Sequence, residues 1–375
     1  MAGLYIHIPF CRQKCIYCDF CSYPDRNDMV AEYFACLKKE LSACVGKESR
    51  QVEIDTVYFG GGTPSSVEAS LLADLLEFVS KKCVLKTTAE ITVECNPDSA
   101  SESKISLLAR SGVNRLSIGL QTADDDTLKL LNRPHNLAQF ENTVECAAAC
   151  GIGNVSADII LGLPDETSER LDKTLDVVVA AGLKHISAYG LSVERGTRLY
   201  GMVNGKGGIS LPDEDMTADF YDQAYGRLLS AGFSRYEVSN FAVKGFECRH
   251  NINYWRCGEY IGLGASAHSY FHGVRRANIK NLDKYINALN NGKLPVASRD
   301  RLSEKEKAYE FIILGLRTEE GIDMDEISLR FKDRAEEFIC KAYELLKRGY
   351  LEARGSRLRI PSNKFYVLNS ILCEF

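Results

Sequence analysis

No apolar stretch in the 375 residues approaches the roughly 18 that a membrane-spanning helix needs. The N-terminus, Met1-Ala2-Gly3-Leu4-Tyr5-Ile6-His7-Ile8, lacks the cationic start and apolar core of an export signal, so a cytoplasmic location is expected. Charge of one sign is lacking too. Lys and Arg number 46 against 51 Asp and Glu, a net charge of −5, which gives no electrostatic reason to expect nucleic acid or an anionic membrane as partner. Internal repeats and low-complexity tracts are absent, which excludes a solenoid. Tryptophan occurs once, at Trp255. Cysteine, by contrast, is abundant at 14 residues. Without an export signal that count points to metal or redox chemistry rather than to disulfides. Cys11, Cys15, Cys18 and Cys21 crowd into one short segment, and the rest are scattered.

With 45% hydrophobic and 26% charged residues the chain reads as folded and globular. Short β-rich runs at 4–8, 56–59, 91–94, 115–120, 155–161 and 185–191 alternate with helical periodicity. Val30, Tyr33, Phe34, Leu37 and Leu41 mark one helix face. Ser65 with Glu68, and Ser99 with Glu102, look like capping boxes opening two more helices. Six strand–helix units predict an α/β fold, a partial (β/α)6 barrel that stops short of the eight units needed for closure. Polar turns follow the strands, so Cys11, Gly61, Glu94, Gln121, Asp158 and Ala188 are expected on one rim or in the barrel interior.

A Gly-rich stretch at 201–208 precedes a helix near 213–229, and residues 236–269 read as irregular. Pro295–Asp300 reads as a linker. A capping box at Ser303 and Glu306 opens a helical region, with further helices near 324–331 and 335–347, and a hairpin follows through Arg354-Gly355-Ser356. Helices followed by a small wing suggest an α+β winged-helix-like module. Its 15 basic and 15 acidic residues over 298–375 cancel, which argues against DNA binding. The resulting division is 1–235, 236–297 and 298–375.

Cys11-x3-Cys15-x2-Cys18 places three thiols in a tight loop after the first strand, a spacing suited to an iron–sulfur cluster. Three ligands leave one iron of a [4Fe-4S] cube open to a small molecule. Cys21 is available as a fourth ligand. A zinc site drawing on Cys248, His250 and Cys257, or simply a group of buried thiols, also fits the spacing.

Tyr5-Ile6-His7-Ile8-Pro9-Phe10-Cys11-x3-Cys15-Ile16-Tyr17-Cys18-Asp19-Phe20 resembles the opening of the oxygen-independent coproporphyrinogen oxidase branch of the radical SAM superfamily. The resemblance runs along nearly the whole chain, through Gly60-Gly61-Gly62-Thr63-Pro64-Ser65, Glu94-Cys95-Asn96-Pro97, Ser117-Ile118-Gly119-Leu120-Gln121, Asn132-Arg133, Asp158-Ile159-Ile160-Leu161-Gly162-Leu163-Pro164 and Gly262-Leu263-Gly264-Ala265-Ser266. It implies a radical SAM core over 1–235, with Cys11, Cys15 and Cys18 holding a [4Fe-4S] cluster and S-adenosylmethionine (SAM) on the open iron. It implies SAM contacts at Tyr5, Tyr17, Gly61, Gly62, Thr63, Glu94, Gln121, Arg133, Asp158 and Ala188. It makes Cys21 a supporting residue rather than a ligand. Taken alone, each polar residue could equally be a buried group with an ordinary partner.

Two features favour the HemW heme-chaperone branch over the oxidases. Only ten residues precede Cys11, where the oxidases carry a longer arm, and His250-Asn251-Ile252-Asn253-Tyr254-Trp255 is an HNxxYW motif typical of that branch. The resemblance implies heme as a further cofactor, with His250 as the candidate ligand and Tyr254 and Trp255 as flat apolar surface. His268 is a competing ligand. The expected partners are heme, a heme-accepting protein such as a membrane-bound respiratory one, and an electron donor protein. Coproporphyrinogen oxidase activity is the alternative and is not expected; no catalytic side chain is assigned.

Overall fold

The structure, a computed structural model, describes residues 2–46, 52–205 and 208–375. Part of the Gly-rich stretch at 201–208, residues 206 and 207, lies outside them. The strands are β1 (Ala2–Ile8), β2 (Glu53–Gly61), β3 (Val84–Cys95), β4 (Arg115–Gln121), β5 (Asn154–Leu161), β6 (His185–Gly190), β7 (Ser234–Arg235), β8 (Asn240–Ala242), β9 (Tyr260–Leu263), β10 (His268–Phe271), β11 (Val274–Asn278), β12 (Val296–Asp300), β13 (Ile322–Asp323), β14 (Glu352–Arg354) and β15 (Arg357–Arg359). The first six pair in parallel in sequence order. Between them run α1 (Val30–Val45), α2 (Ala69–Lys82), α3 (Glu102–Arg110), α4 (Asp125–Leu130), α5 (Leu137–Ala149) and α6 (Ser168–Ala180), with α7 (Arg198–Asn204) and α8 (Glu214–Ser230) after β6.

Side-chain alternation sets the two faces of the sheet. In β1, Leu4, Ile6 and Ile8 are fully buried in one apolar core with Phe34, Leu37, Leu72, Leu75, Phe140, Leu175 and Leu228 from the helices. Tyr5 and His7 point the other way, into the concave interior, where Tyr5 stacks on Tyr58 of β2. The same alternation delivers Glu94, Ser117 and Asp158 to that interior.

The sheet does not stop at six strands. β9 pairs in parallel with β1, and β10, β11 and β12 extend it antiparallel, while β8 and β7 extend the β6 edge. The result is a twelve-stranded sheet whose ends, β12 and β7, are unpaired with each other among the described residues, so the barrel is open. Two expectations are corrected. Pro295–Asp300 is no linker, because Val296–Asp300 forms β12 against β11. Residues 236–269 are not irregular; they hold β8, α9 (Arg249–Trp255), β9 and the start of β10. These strands are short, and their pairing partners rather than their own periodicity make them strands. The division at 297/298 falls inside β12.

The C-terminal helices are α10 (Leu282–Asn290), which packs on the sheet, and then α11 (Glu304–Gly315), α12 (Met324–Phe331), α13 (Glu336–Lys347) and α14 (Leu368–Leu372). With the small sheet β13-β15-β14, the last four enclose a separate core around Ile312, Ile327, Phe338, Leu345 and Leu358. The Ser303–Glu306 capping box is formed. The other two are not. α2 is capped at Glu68 with no side-chain bond, and α3 at Ser101. Ser65 and Ser99 instead hydrogen-bond each other at 2.7 Å, because the turns after β2 and β3 bring the two hydroxyls together. The module is fastened to the barrel by Arg235, which pairs with Glu319 at 3.0 Å and lies 3.6 Å over the Phe365 ring.

Candidate functional site

Residues 9–23 form a loop after β1 that lines a cavity with the strand ends, and its backbone is held at several points. Tyr23 N donates to Pro9 O at 2.7 Å, Ile16 N to Leu131 O at 3.1 Å, and Leu199 N to Ile16 O at 2.8 Å. The Asn132 side chain donates to Lys14 O at 2.8 Å. Cys11, Cys15 and Cys18 all line one cavity of about 390 Å³, and all three are free thiols. Thr63 Oγ1 donates to Cys11 Sγ and Arg133 Nη1 to Cys15 Sγ, both at 3.4 Å. Burial pushes the Cys11 and Cys18 thiols up.

Across the cavity stand the strand ends. Glu94 Oε1 accepts from Tyr58 OH at 2.9 Å, and Oε2 from the Gly61 amide at 3.1 Å. Burial, with Asp158 nearby, pushes the Glu94 carboxyl up to about 7 despite those donors. Asp158 is also raised, mainly by burial, although Ser117 Oγ donates to both its oxygens at 3.1 and 3.2 Å. Gln121 sits at φ 72°, a left-handed conformation for a non-glycine residue, just past a register shift in β4. Arg133 donates through Nη2 to Asn96 Oδ1 at 2.8 Å and to Gly119 O at 3.0 Å, while its buried Nε has no partner. Two glycines make this packing feasible. A Cβ on Gly61, at φ +112°, would lie 2.4 Å from the His7 ring, and one on Gly119 would lie 2.8 Å from the Arg133 guanidinium.

Of the residues singled out above, Tyr17, Gly61, Gly62, Thr63, Glu94, Gln121, Arg133 and Asp158 share this cavity with the three cysteines. Three do not. Ala188 points to the helix-covered face, buried in the apolar core, and its neighbour Tyr189 lines the cavity instead. The alternation in β6, apolar Ile186 and Ala188 against polar Ser187 and Tyr189, carried that signal. Tyr5 lines a second cavity, where its hydroxyl bonds His7 Nδ1 at 3.0 Å. His250 lines neither. It is 1% exposed, with Nδ1 bonded to Thr56 Oγ1 at 2.7 Å and Nε2 to Tyr254 OH at 2.8 Å. Both ring nitrogens of the expected heme ligand are thus engaged by neighbours within the chain. Burial lowers its pKa to about 3, so it is a neutral imidazole locked in the barrel floor.

The second cavity, about 510 Å³, lies between α9, β9, β10 and α11. Sequence reasoning did not find it as a unit. Tyr254, Trp255, Tyr260, Tyr270 and His268 line it, and Asp19 and Phe20 belong to the walls of both cavities. Cys248 and Cys257 do not come together in one place. Cys248 Sγ contacts Glu90 at 3.6 Å in the barrel floor, while Cys257 sits in the second cavity wall. Among the described residues no three His, Cys, Asp or Glu side chains gather as a single bound ion requires.

Residues 5–178 match the radical SAM superfamily, and residues 302–363 the HemN C-terminal domain. The chain is 35% identical over 325 residues to the heme chaperone HemW of Bacillus subtilis, covering 86% of this chain and 85% of that one. The chain belongs to the HemW family of radical SAM proteins. A mitochondrial relative in Bos taurus, radical S-adenosyl methionine domain-containing protein 1, is 38% identical over 332 residues, covering 86% of this chain and 74% of that one. The fold superposes on the coproporphyrinogen III oxidase HemN of Escherichia coli with a TM-score of 0.88, covering 100% of this chain and 89% of that one at 20% identity.

Radical SAM membership implies a [4Fe-4S] cluster and SAM. The residues of this HemW family member fit both. Three thiols on one tethered loop face a shared cavity, two of their sulfurs already receive hydrogen bonds, and the buried Arg133 Nε is an unused donor beside them. Among the described residues no helix is long and apolar enough to cross a membrane.

Proposed function

We propose that this chain is a cytoplasmic heme carrier that holds a [4Fe-4S] cluster on Cys11, Cys15 and Cys18, binds SAM beside it, and hands heme to an acceptor protein. The carrying observation is the cysteine loop itself. It lines the thiol-and-carboxylate cavity with Cys11, Cys15 and Cys18 and, through Asp19 and Phe20, also walls the aromatic cavity. The relatives named as heme chaperones support the heme part of the reading.

Bound together, the cluster and SAM supply one-electron chemistry, reductive opening of a C–S bond, with the electron coming from a donor protein. The residues of the chain bind and orient. Arg133 offers its free Nε–H to a carboxylate, as a guanidinium can. Glu94 and Asp158 accept from hydroxyl or ammonium donors, and a cation between them draws Glu94 into its ionised form. Tyr17, with its hydroxyl held protonated chiefly by burial, supplies a flat wall. The glycine turn at 60–62 brings backbone close enough to accept from an amino group.

Oxygen-free purification followed by iron, sulfide and hemin analysis tests this reading. The expected preparation contains cluster iron and sulfide and takes up hemin, which then passes to an added apo-hemoprotein. A colourless zinc protein sinks it. Turnover of coproporphyrinogen III to protoporphyrinogen IX with reductant and SAM would replace the carrier with the oxidase.

A further inference from the structure

We propose that a third cavity, on the helix-covered face of the sheet extension, binds a small amphipathic anion, an alkyl chain carrying a phosphate head. It lies across β9, β10, β11 and β12, beside the C-terminal end of α1. At about 340 Å³ it falls within the roughly 300–1,000 Å³ of small-molecule sites. The same strands turn their alternate residues to the second cavity, so the two spaces stand back to back. Tyr260, Tyr270 and Arg275 face one way, and Ile261, Phe271 and Arg276 the other. The assignment is independent of the carrier reading above.

The floor is apolar. Ile261 of β9, Phe271 of β10 and Val274 of β11 form it, and Leu294 and Val296 complete it. Strict alternation would set Val296 and Arg299 on opposite faces of β12. A register shift against Ala277 and Asn278 puts both on this one.

The rim is cationic. Arg276, Arg299 and Arg301 line the cavity, and among the described residues no Asp or Glu does. Arg276 and Arg299 stand directly opposite each other across the β11–β12 pair, a position in which like charges repel. Arg276 is already engaged. Its Nη2 lies 3.1 Å from Cys44 Sγ, 3.4 Å from Ser269 Oγ and 3.7 Å from the buried Glu40. Arg299 and Arg301 are exposed and, among the described residues, make no hydrogen bond or ion pair through their side chains. In a chain whose net charge is −5, this face is a local reversal of sign. Two free guanidinium forks match a phosphate dianion, and the floor beside them takes up an alkyl chain. Charge on an edge strand also discourages pairing with another chain, but that role calls for no apolar hollow behind it.

The test is a calorimetric titration of the full chain with octyl phosphate below its micelle threshold, with octanol and inorganic phosphate as its two halves. Octyl phosphate is expected to bind once per chain, and each half at least about tenfold more weakly, because neither makes both contacts. Arg299→Gln combined with Arg301→Gln should weaken octyl phosphate by about tenfold or more, and it removes no contact that the fold uses. Leu294→Ser, at a position already 38% exposed, should weaken it by roughly fivefold through lost apolar contact. Hemin uptake should be the same in the variants and the wild type. A wild type that takes up no octyl phosphate overturns the assignment, and so does an unchanged affinity in either variant, since the amphiphile would then lie elsewhere. Inorganic phosphate binding as tightly as octyl phosphate overturns it by leaving only a cationic patch. Binding to phosphatidylglycerol vesicles with none of the free amphiphile overturns it in favour of a membrane-facing surface. Hemin uptake that falls in step with octyl phosphate overturns it by making the cavity part of the carrier site.

Discussion

The two cavities meet at Asp19 and Phe20 yet are built from opposite materials. The first is walled by thiols, two buried carboxylates and a buried guanidinium, all set on strand ends or on the loop tied to them. The second is walled by tyrosines and the one tryptophan, with His268 and Lys280 also in its lining. Charged groups that would be costly to bury alone are tolerated in the first because each is satisfied or nearly so by a neighbour, which is how a site is held ready for a charged cofactor. The second gains instead from apolar area and needs few polar fixtures, which suits a cargo that must also leave.

The strongest way to break the comparison is to empty the first cavity. Cys15→Ala removes one of three cluster anchors, and iron and sulfide content should fall to background, because two thiolates do not retain a cube. The HemW reading expects hemin uptake to drop several-fold as well, since the loop then loses its central anchor beside Phe20. Iron analysis and hemin titration of the same preparation check both.

Next in size is Arg133→Lys. The lysine keeps the charge and loses the fork, so one ammonium cannot replace the Nη2 bonds to Asn96 and Gly119, the Nη1 bond to Cys15 Sγ and the spare Nε–H together. A charge-assisted contact of about 1.5–3 kcal/mol predicts SAM binding weaker by roughly ten- to a hundredfold. Hemin affinity should not change, and equilibrium dialysis with each ligand would show whether the two sites separate in this way.

The same contrast governs what could be read before the structure was known. Strand ends obey a two-residue alternation and are followed by recognisable turns, so the gathering of Glu94, Gln121, Asp158 and the cysteines around one cavity was legible, while in β6 that alternation sets the side chain of Tyr189 rather than Ala188 on the cavity wall. The second cavity gathers residues 19–20, 254–260, 266–270 and 310–314, which no local pattern links. It exists because β9 adds to β1 and the hairpin β10–β11 folds back on it, and four-residue strands carry little periodicity of their own. The surroundings of His250 were hidden for a related reason. A histidine beside a tyrosine and a tryptophan reads as a ligand set until the sheet shows that Thr56 and Tyr254 occupy both its nitrogens.

A smaller effect should appear in the pH dependence of the first cavity. Glu94 titrates near 7 when folded, against an ordinary value of 4.5. Between those values the folded protein holds more proton than the unfolded chain, so stability falls as pH rises through that window. A cationic ligand prefers the ionised carboxylate, so SAM affinity should rise from about pH 6 to about pH 8 and then level off. In Glu94→Gln both trends should flatten. A second cavity with the same pH profile for hemin would break the distinction between them.

The smallest expected effect is the most informative, because it falls on the shared wall. Phe20 is largely exposed, so Phe20→Ala should leave thermal stability within about 0.5 kcal/mol of wild type. If the loop relays occupancy, SAM in the first cavity should tighten hemin in the second by roughly fivefold, a coupling of about 1 kcal/mol, and hemin should tighten SAM by the same factor. The Phe20 ring touches both spaces, so the variant should keep most of each separate affinity and lose the coupling. Measuring each affinity with and without the other ligand closes the thermodynamic cycle. Coupling that survives in Phe20→Ala would mean the two sites communicate through the strands of the barrel, where β1 carries Tyr5 and His7 to the second cavity and pairs with the β2 strand that ends at Gly61 in the first.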